Sequence, residues 1–418
     1  MTLAKPLRYR FVILMSLFTT VVINYLDRSN LSVAALGISK DFHLHSTEMG
    51  LIFSAFAWSY TSLQIPGGLL ADSVRPRFLY GGLILAWSIV TFLQGFIWGA
   101  GALIACRILI GIFEAPGYPI NNKIVTSWFP TEERASAIAF YTSGQFIGLA
   151  FLSPILIMVQ AVFGWRELFI GSGIIGAIWA VLWILIYRDR DQMSKTPSPK
   201  DVALSAPEKK EAKAQWLASL RIALSHKTLW GIYLGQFCLG TTTIFFLTWF
   251  PTYLIQYRGL NIAQSGILTA IPFLAAFFGV LLSGFTSDYM VKRGVSAGIA
   301  RKGPIILGML LSSVILLANM TNNDTLAILL LSIAFFGNGL ASINWVFVSL
   351  VAPQNAVGTV GGVFNLIGGL SAVLTPIIIG TLIEAGDFTP ALIYMGIIAL
   401  IGVCSYIFLV GKVEQISV

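Results

Sequence analysis

Runs of apolar residues recur along almost the whole chain, and a helix needs about 20 of them to cross the hydrocarbon core of a bilayer. Such runs fall near 10–36, 48–71, 77–98, 100–127, 134–162 and 166–187, then near 228–256, 263–289, 302–320, 325–351, 356–384 and 388–410. That is six and six. The stretch between them, Arg188 to Trp216, is rich in Pro, Ser, Lys and Glu, which is linker composition. The expected fold is an all-α membrane protein of twelve transmembrane helices in two pseudo-symmetric halves. The six-helix bundles are expected over residues 1–188 and 227–418, with a cytoplasmic linker over 189–226. Composition agrees: 56% of the residues are hydrophobic and 11% charged, whereas soluble domains carry about 25% charged residues. The opening "MTLAKPLRYRFVILM" has the bases of a signal peptide, but its apolar run is too long and has no small-residue cleavage site, so it reads as the first membrane helix.

The halves repeat a loop feature at the same place. "GLLADSVRPR" (Gly68 to Arg77) follows the second run and "GFTSDYMVKRG" (Gly284 to Gly294) the eighth, each with Gly, three residues, Asp, then bases. Parallel duplication of a helical unit is a feature of large transporter folds. Asp72, Arg77 and Asp288 in these loops are candidate gate or structural residues. The +8 net charge does not point to nucleic acid, because the bases cluster in short loops, where they set membrane orientation. Most lie on the side of the termini and linker; only Lys40, Arg166 and Arg258 fall on the other. Both termini are therefore expected in the cytoplasm.

Once the charges near the ends of the runs and in the loops are set aside, four remain in the hydrocarbon core: Asp27, Arg28, Arg107 and Glu114, all in the first half. A charge at mid-bilayer costs about 2.5–3.5 kcal/mol on insertion scales, and such residues usually face a partner or a cavity. Two of each sign cancel, so burial is possible if they meet. Arg107 and Glu114, seven apart, share a helix face two turns apart, whereas the adjacent Asp27 and Arg28 diverge by about 100°. Two ion pairs locking the first and fourth helices together would explain the neutrality, although apolar packing would hold them with less penalty. The alternative is functional: carboxylates in low-dielectric sites can exchange protons, while arginine stays charged and can grip an anion. On that reading Asp27 and Glu114 are proton sites and Arg28 an anion site.

Tyr60 and Gln64 in the second run, Gln145 in the fifth, Asn338, Ser342, Asn344 and Trp345 in the tenth and Asn365 in the eleventh supply amide, hydroxyl and indole groups. Each alone is as well explained by a helix–helix hydrogen bond. Together they suit a small anion bearing several hydroxyls. The glycines at 144, 148 and 358–369 are expected to permit close packing. Cys106, Cys238 and Cys404 lack metal-ligand spacing, and His43, His45 and His226 fall in loops or at a helix end. No phosphate loop and no Ser-His or Cys-His arrangement occurs. The chain is therefore expected not to be an enzyme and to need no cofactor, with an ion gradient driving transport.

"NYLDRSNLSVA", "RILIGIFEAPGYPINNKIVTSWFPTEERASA" and "GGVFNLIGG" resemble the major facilitator superfamily over essentially the full length. Within it they resemble the bacterial sugar-acid branch of the anion:cation symporters, which includes galactonate, glucarate, galactarate and hexuronate carriers. "FYTSGQFIGLAFLSP" is most similar to its D-galactonate carriers. The resemblance implies a proton-coupled importer of a hexonate-like sugar acid in the bacterial inner membrane, working by alternating access with the proton as coupling ion; the chain is expected to be a monomer. It implies protonatable roles for Asp27 and Glu114, with Arg107 alongside. It implies substrate contacts for Tyr60, Gln145, Ser342, Trp345 and Asn365, and with Arg28, Gln64 and Asn344, taken from the residues themselves, these form the candidate substrate-binding set. Asn344 departs from the smaller hydroxyl residue expected there, and Arg75-Pro76 replace a usual Gly and base. A hexarate or hexuronate symporter is the cousin reading, and an organic-anion exchanger without net proton movement the runner-up. The fifth run lacks the Gly-Pro pattern of superfamily antiporters.

Overall fold

The structure is a computed structural model describing residues 4–189, 218–353, 356–384, 386–411 and 413–416, so most of the expected linker lies outside the described residues. Helices dominate and no strand occurs among the described residues. This follows from the apolar runs, since in lipid each backbone N–H and C=O needs a partner within its own segment. The helices are α1 Ala4–Phe42, α2 Ser46–Ser62, α3 Gln64–Ser73, α4 Pro76–Leu93, α5 Ala100–Glu114, α6 Gly117–Trp128, α7 Thr131–Ile147, α8 Ser153–Phe163 and α9 Trp165–Ile186. Then come α10 Lys227–Thr248, α11 Ile262–Lys292, α12 Ala297–Ser313, α13 Asp324–Ala341, α14 Val346–Val351, α15 Val357–Leu382 and α16 Thr389–Cys404, with short helical turns between some of them.

Among the described residues, eleven helical stretches are long and apolar enough to cross a membrane. The twelfth expected span, 48–71, is broken at Leu63 into α2 and α3. Pro66 explains the break: it has no N–H for the Ser62 carbonyl, and its ring crowds that turn. The chain bridges the break with Leu63 N donating to Ser59 O (2.9 Å) and Gly67 N to Leu63 O (2.8 Å). Pro116 breaks the fourth span between α5 and α6 in the same way, leaving Glu114 as the last residue of α5. Phe151, Met158, Val162 and Leu185 remain exposed, as side chains facing lipid do.

Packing groups Met1–Pro199 with Leu247–Ala270 and Pro376–Glu384 as one unit, and the rest of the chain as a second. Two pieces of the second half therefore belong to the first unit. There the Trp249 ring meets Phe53 edge-on at 5.2 Å, and its indole N–H donates to Pro376 O at 3.2 Å. The first unit's core centres on Tyr80, Trp87, Trp183 and Tyr187. In it α2 crosses α5 so closely that a Cβ on Gly111 would collide with Ser59 Oγ and Phe56 O. A Cβ on Gly144 of α7 would lie 3.0 Å from Phe18 O of α1, so this glycine packs as the sequence suggests. In the second unit α13 crosses α11 with the same closeness, Gly339 against Ala276 O.

Candidate functional site

The close crossing at Gly111 lays the α2 residues Phe56 and Tyr60 alongside Arg107 and Glu114 of α5. Ser59 Oγ fixes it by donating to Ile108 O at 2.8 Å. Arg28 reaches this seam from α1. Its Nε and Nη2 both donate to Glu114 Oε2, at 3.2 and 3.0 Å. The guanidinium also lies over the rings of Tyr25 (4.9 Å), Phe56 (4.8 Å) and Tyr60 (4.8 Å). Ring quadrupoles attract such a cation by about 0.5–2 kcal/mol each. Phe56 stacks on Tyr60 at 5.0 Å and also lies 5.2 Å from the Arg107 guanidinium. One aromatic ring therefore borders both arginines.

Asp27, one residue earlier, points elsewhere, as the 100° step along a helix requires. Its Oδ1 accepts from Asn30 Nδ2 at 3.4 Å, and the same amide donates to Ser172 Oγ of α9 at 2.7 Å. Trp87 of α4 and the Arg107 charge lie close by, while Oδ2 is buried without a hydrogen bond in the protein. Asp27, Arg107 and Glu114 are 2, 4 and 2% exposed, so their charges are compensated by one another rather than by water. Spacing along the fourth span puts Arg107 and Glu114 on one face, yet the ion pair of Glu114 is with Arg28. Arg107 instead lies in electrostatic range of both carboxylates, and its Nε makes no hydrogen bond.

A constricted cavity opens beside the ion pair, lined by Val21, Asn24, Arg28, Tyr60, Tyr80, Glu114, Gly117, Tyr118 and Asn121. Asn24, Tyr80, Tyr118 and Asn121 escaped the sequence reading, although helical spacing carries a signal for three of them. Asn24 lies four residues before Arg28, and Tyr118 and Asn121 lie four and seven after Glu114. Tyr80 comes from α4, and only the tertiary fold brings it in. Gln64 and Gln145 are partly buried and do not line this cavity.

In the second unit, Ser342, Asn344 and Trp345 lie on a 3₁₀ turn, Ser342–Trp345, between α13 and α14. Asn344 Nδ2 donates to Gln236 Oε1 at 2.5 Å, a partner that sequence reading missed. Asn338 Nδ2 donates to Leu239 O at 2.9 Å, and its Oδ1 accepts from Thr243 Oγ1 at 3.0 Å, which makes it an interhelical tie. Trp345 packs on Phe364 (4.9 Å) while staying half exposed, and Ser342 and Asn365 are exposed. Arg77 has a structural place: its Nε donates to Ile184 O at 3.0 Å and its backbone N–H to Asp189 Oδ1 at 3.4 Å, which secures the end of α9. The Asp72 and Asp288 side chains lie outside the described residues. Among the described residues no cluster of His, Cys, Asp and Glu could hold a metal ion.

The family model described as Major Facilitator Superfamily matches residues 17–374. The chain is 48% identical to the D-galactonate transporter of Escherichia coli O6:H1, covering 99% of this chain and 98% of that one. It is 39% identical to the probable galactarate/D-glucarate transporter GarP of Escherichia coli K12, covering 99% and 97%. Among solved structures, a bacterial homologue of the human lysosomal transporter Spinster matches with a TM-score of 0.73. The identity is 21%, over 96% of each chain, a likeness of fold alone.

Proposed function

The chain belongs to the Major Facilitator Superfamily, and we propose that it is a proton-coupled symporter importing a hexonate-type sugar acid such as D-galactonate by alternating access. It is a multi-pass membrane transporter and not an enzyme. The observation that carries the reading is that Arg28, the arginine suited to gripping a carboxylate, is held by Glu114 at 3.0 Å. A substrate carboxylate and Glu114 then compete for one guanidinium. With both carboxylates ionised, Asp27, Arg28, Arg107 and Glu114 sum to zero. A bound monoanion would leave a net negative charge in low dielectric, which is costly. Protonating Glu114 removes that charge and loosens its hold on Arg28, so proton and substrate bind with positive coupling. By linkage, substrate affinity rises as pH falls through the range where Glu114 takes up its proton. The hydroxyl and amide groups of Tyr60, Gln145, Ser342, Asn344 and Asn365 are suited to a sugar acid's hydroxyls. The nearly full-length similarity to a relative named for D-galactonate supports the substrate class.

The test is uptake of labelled galactonate, glucarate, galactarate and glucuronate by protein reconstituted in vesicles, with and without an inward proton gradient. We expect gradient-driven accumulation of the hexonate above the others. Accumulation indifferent to the gradient would make the protein an exchanger, and preference for the dianions would place it with the hexarate carriers.

A further inference from the structure

The cavity beside Glu114 is displaced to one side of the ion pair. Val21 and Asn24 precede Arg28 along α1, Gly117, Tyr118 and Asn121 follow Glu114 into α6, and Tyr80 lies in the second turn of α4. Since α1 and α4 begin, and α6 ends, at the same face of the membrane, the cavity extends from Glu114 towards that face. Two buried acceptors on its wall, Glu114 Oε1 and Asn121 Oδ1, make no hydrogen bond within the protein. Asn24 lies beside Glu114 and Tyr80 beside Asn121. The room between them is on the scale of a water molecule and not of a sugar acid, and a buried water needs two to four polar partners. Glu114 Oε1, Asn121, Asn24 and Tyr80 provide that number.

We propose that this cavity is the proton's route between Glu114 and the face where α1 begins, through water held by Asn121. The inference rests on the reading that Glu114 carries the coupled proton. In release, protonated Glu114 donates its O–H to the held water, and that water passes a different proton outward. The carboxylate left behind regains both donors of Arg28. The water ends with the bonds it began with, and one proton has moved. Asn121 suits the task chemically because an amide both donates and accepts yet does not ionise at physiological pH, so it orders water without trapping the proton. The ionisable groups around Glu114 are Arg28, Tyr25, Tyr60, Tyr80 and Tyr118, with Arg107 and Asp27 farther along the cluster. Among the described residues no second carboxylate or histidine lines the cavity, so water carries the proton past Glu114.

The experiment compares substrate-driven proton movement, read by a pH-sensitive dye trapped in proteoliposomes, with substrate counterflow, which needs no net proton transfer. Asn121→Leu fills the space with hydrocarbon and should slow proton movement by about tenfold while counterflow persists. Asn121→Ser, which keeps a group that orders water, should restore most of the proton movement. Full-rate proton movement in Asn121→Leu would overturn the route. So would a parallel fall of counterflow in both variants, which would make Asn121 a structural or substrate residue. Wild-type protein that moves substrate and no protons would instead sink the coupling reading beneath it, a result visible before any variant is made.

Discussion

The two six-helix halves use the same close crossing for different chemistry. In the first, Gly111 of α5 meets Ser59 and Phe56 of α2; in the second, Gly339 of α13 meets Ala276 of α11. Around the first crossing lie Arg28, Arg107, Glu114 and, on the next face, Asp27. Near the second are Asn338, Ser342 and Asn344, all neutral. Placing a charge in the membrane is costly enough that a duplicated scaffold gains by confining its charges to one half, where they neutralise one another. The charged half is then suited to coupling proton and anion, and the neutral half to sorting among anions. If so, substitutions in the first half should change energetics and pH dependence, and those in the second should change preference by small factors.

The largest effect is expected at Asp27. Asp27→Asn keeps the shape and the contact with Asn30 but cannot cycle a proton, so accumulation of substrate against its gradient should be lost. Counterflow should be far better preserved. Accumulation that survives the substitution would remove Asp27 from coupling and leave it as the compensating charge for Arg107.

Next comes Glu114→Gln, which mimics the protonated side chain. For the wild type, calorimetric titration from about pH 5 to 8 should show affinity strengthening as pH falls, by up to about tenfold per unit for one linked proton. The variant should bind tightly throughout with little slope, because Arg28 no longer has an anionic competitor. A flat wild-type profile, or a variant that keeps the full slope, would move coupling away from Glu114. Arg28→Lys sharpens the same pair. An ammonium cannot make the two parallel hydrogen bonds of a guanidinium or lie as flat against Tyr25, Phe56 and Tyr60. Substrate affinity should weaken by about tenfold, or about 1.4 kcal/mol. Unchanged affinity would shift the anion site to Arg107.

Much of this division was legible in the sequence, because hydrophobic length and charge cost are local properties. The spans, the four charges within them and their confinement to the first half needed no coordinates. The pairing was not legible. Spacing within one helix links Arg107 with Glu114, but which cation reaches the carboxylate depends on how α1 and α5 are brought together in three dimensions, where Arg28 is the one that pairs with Glu114. Pro66 likewise signals the kink in the second span once one asks which carbonyl it leaves without a donor. Tyr80 and Gln236 carry no local signal, since each enters its site from a helix distant in sequence. The proline breaks and the i+4, i+7 companions of the charged residues were there to be used.

The smallest effect separates the halves most cleanly. Asn344 donates to Gln236 at 2.5 Å and lies on the 3₁₀ turn beside the exposed Ser342 and Trp345. Substituting Asn344→Ser removes one amide and leaves a hydroxyl, without disturbing any charge. A side-chain hydrogen bond between membrane helices averages about 0.6 kcal/mol, which converts to about threefold in affinity. Because no ionisable group of the first half is altered, the pH slope of binding should stay as in the wild type. The ratio of affinities for two epimeric hexonates, which differ only in where one hydroxyl points, should shift by a similar factor. Competition titrations with such a pair at two pH values test both statements. A change in pH slope would mean that the neutral half takes part in coupling, and a loss of tenfold or more with no change of preference would mean that Asn344 is part of the main anion site. Either outcome would dissolve the division of labour drawn from the two glycine crossings.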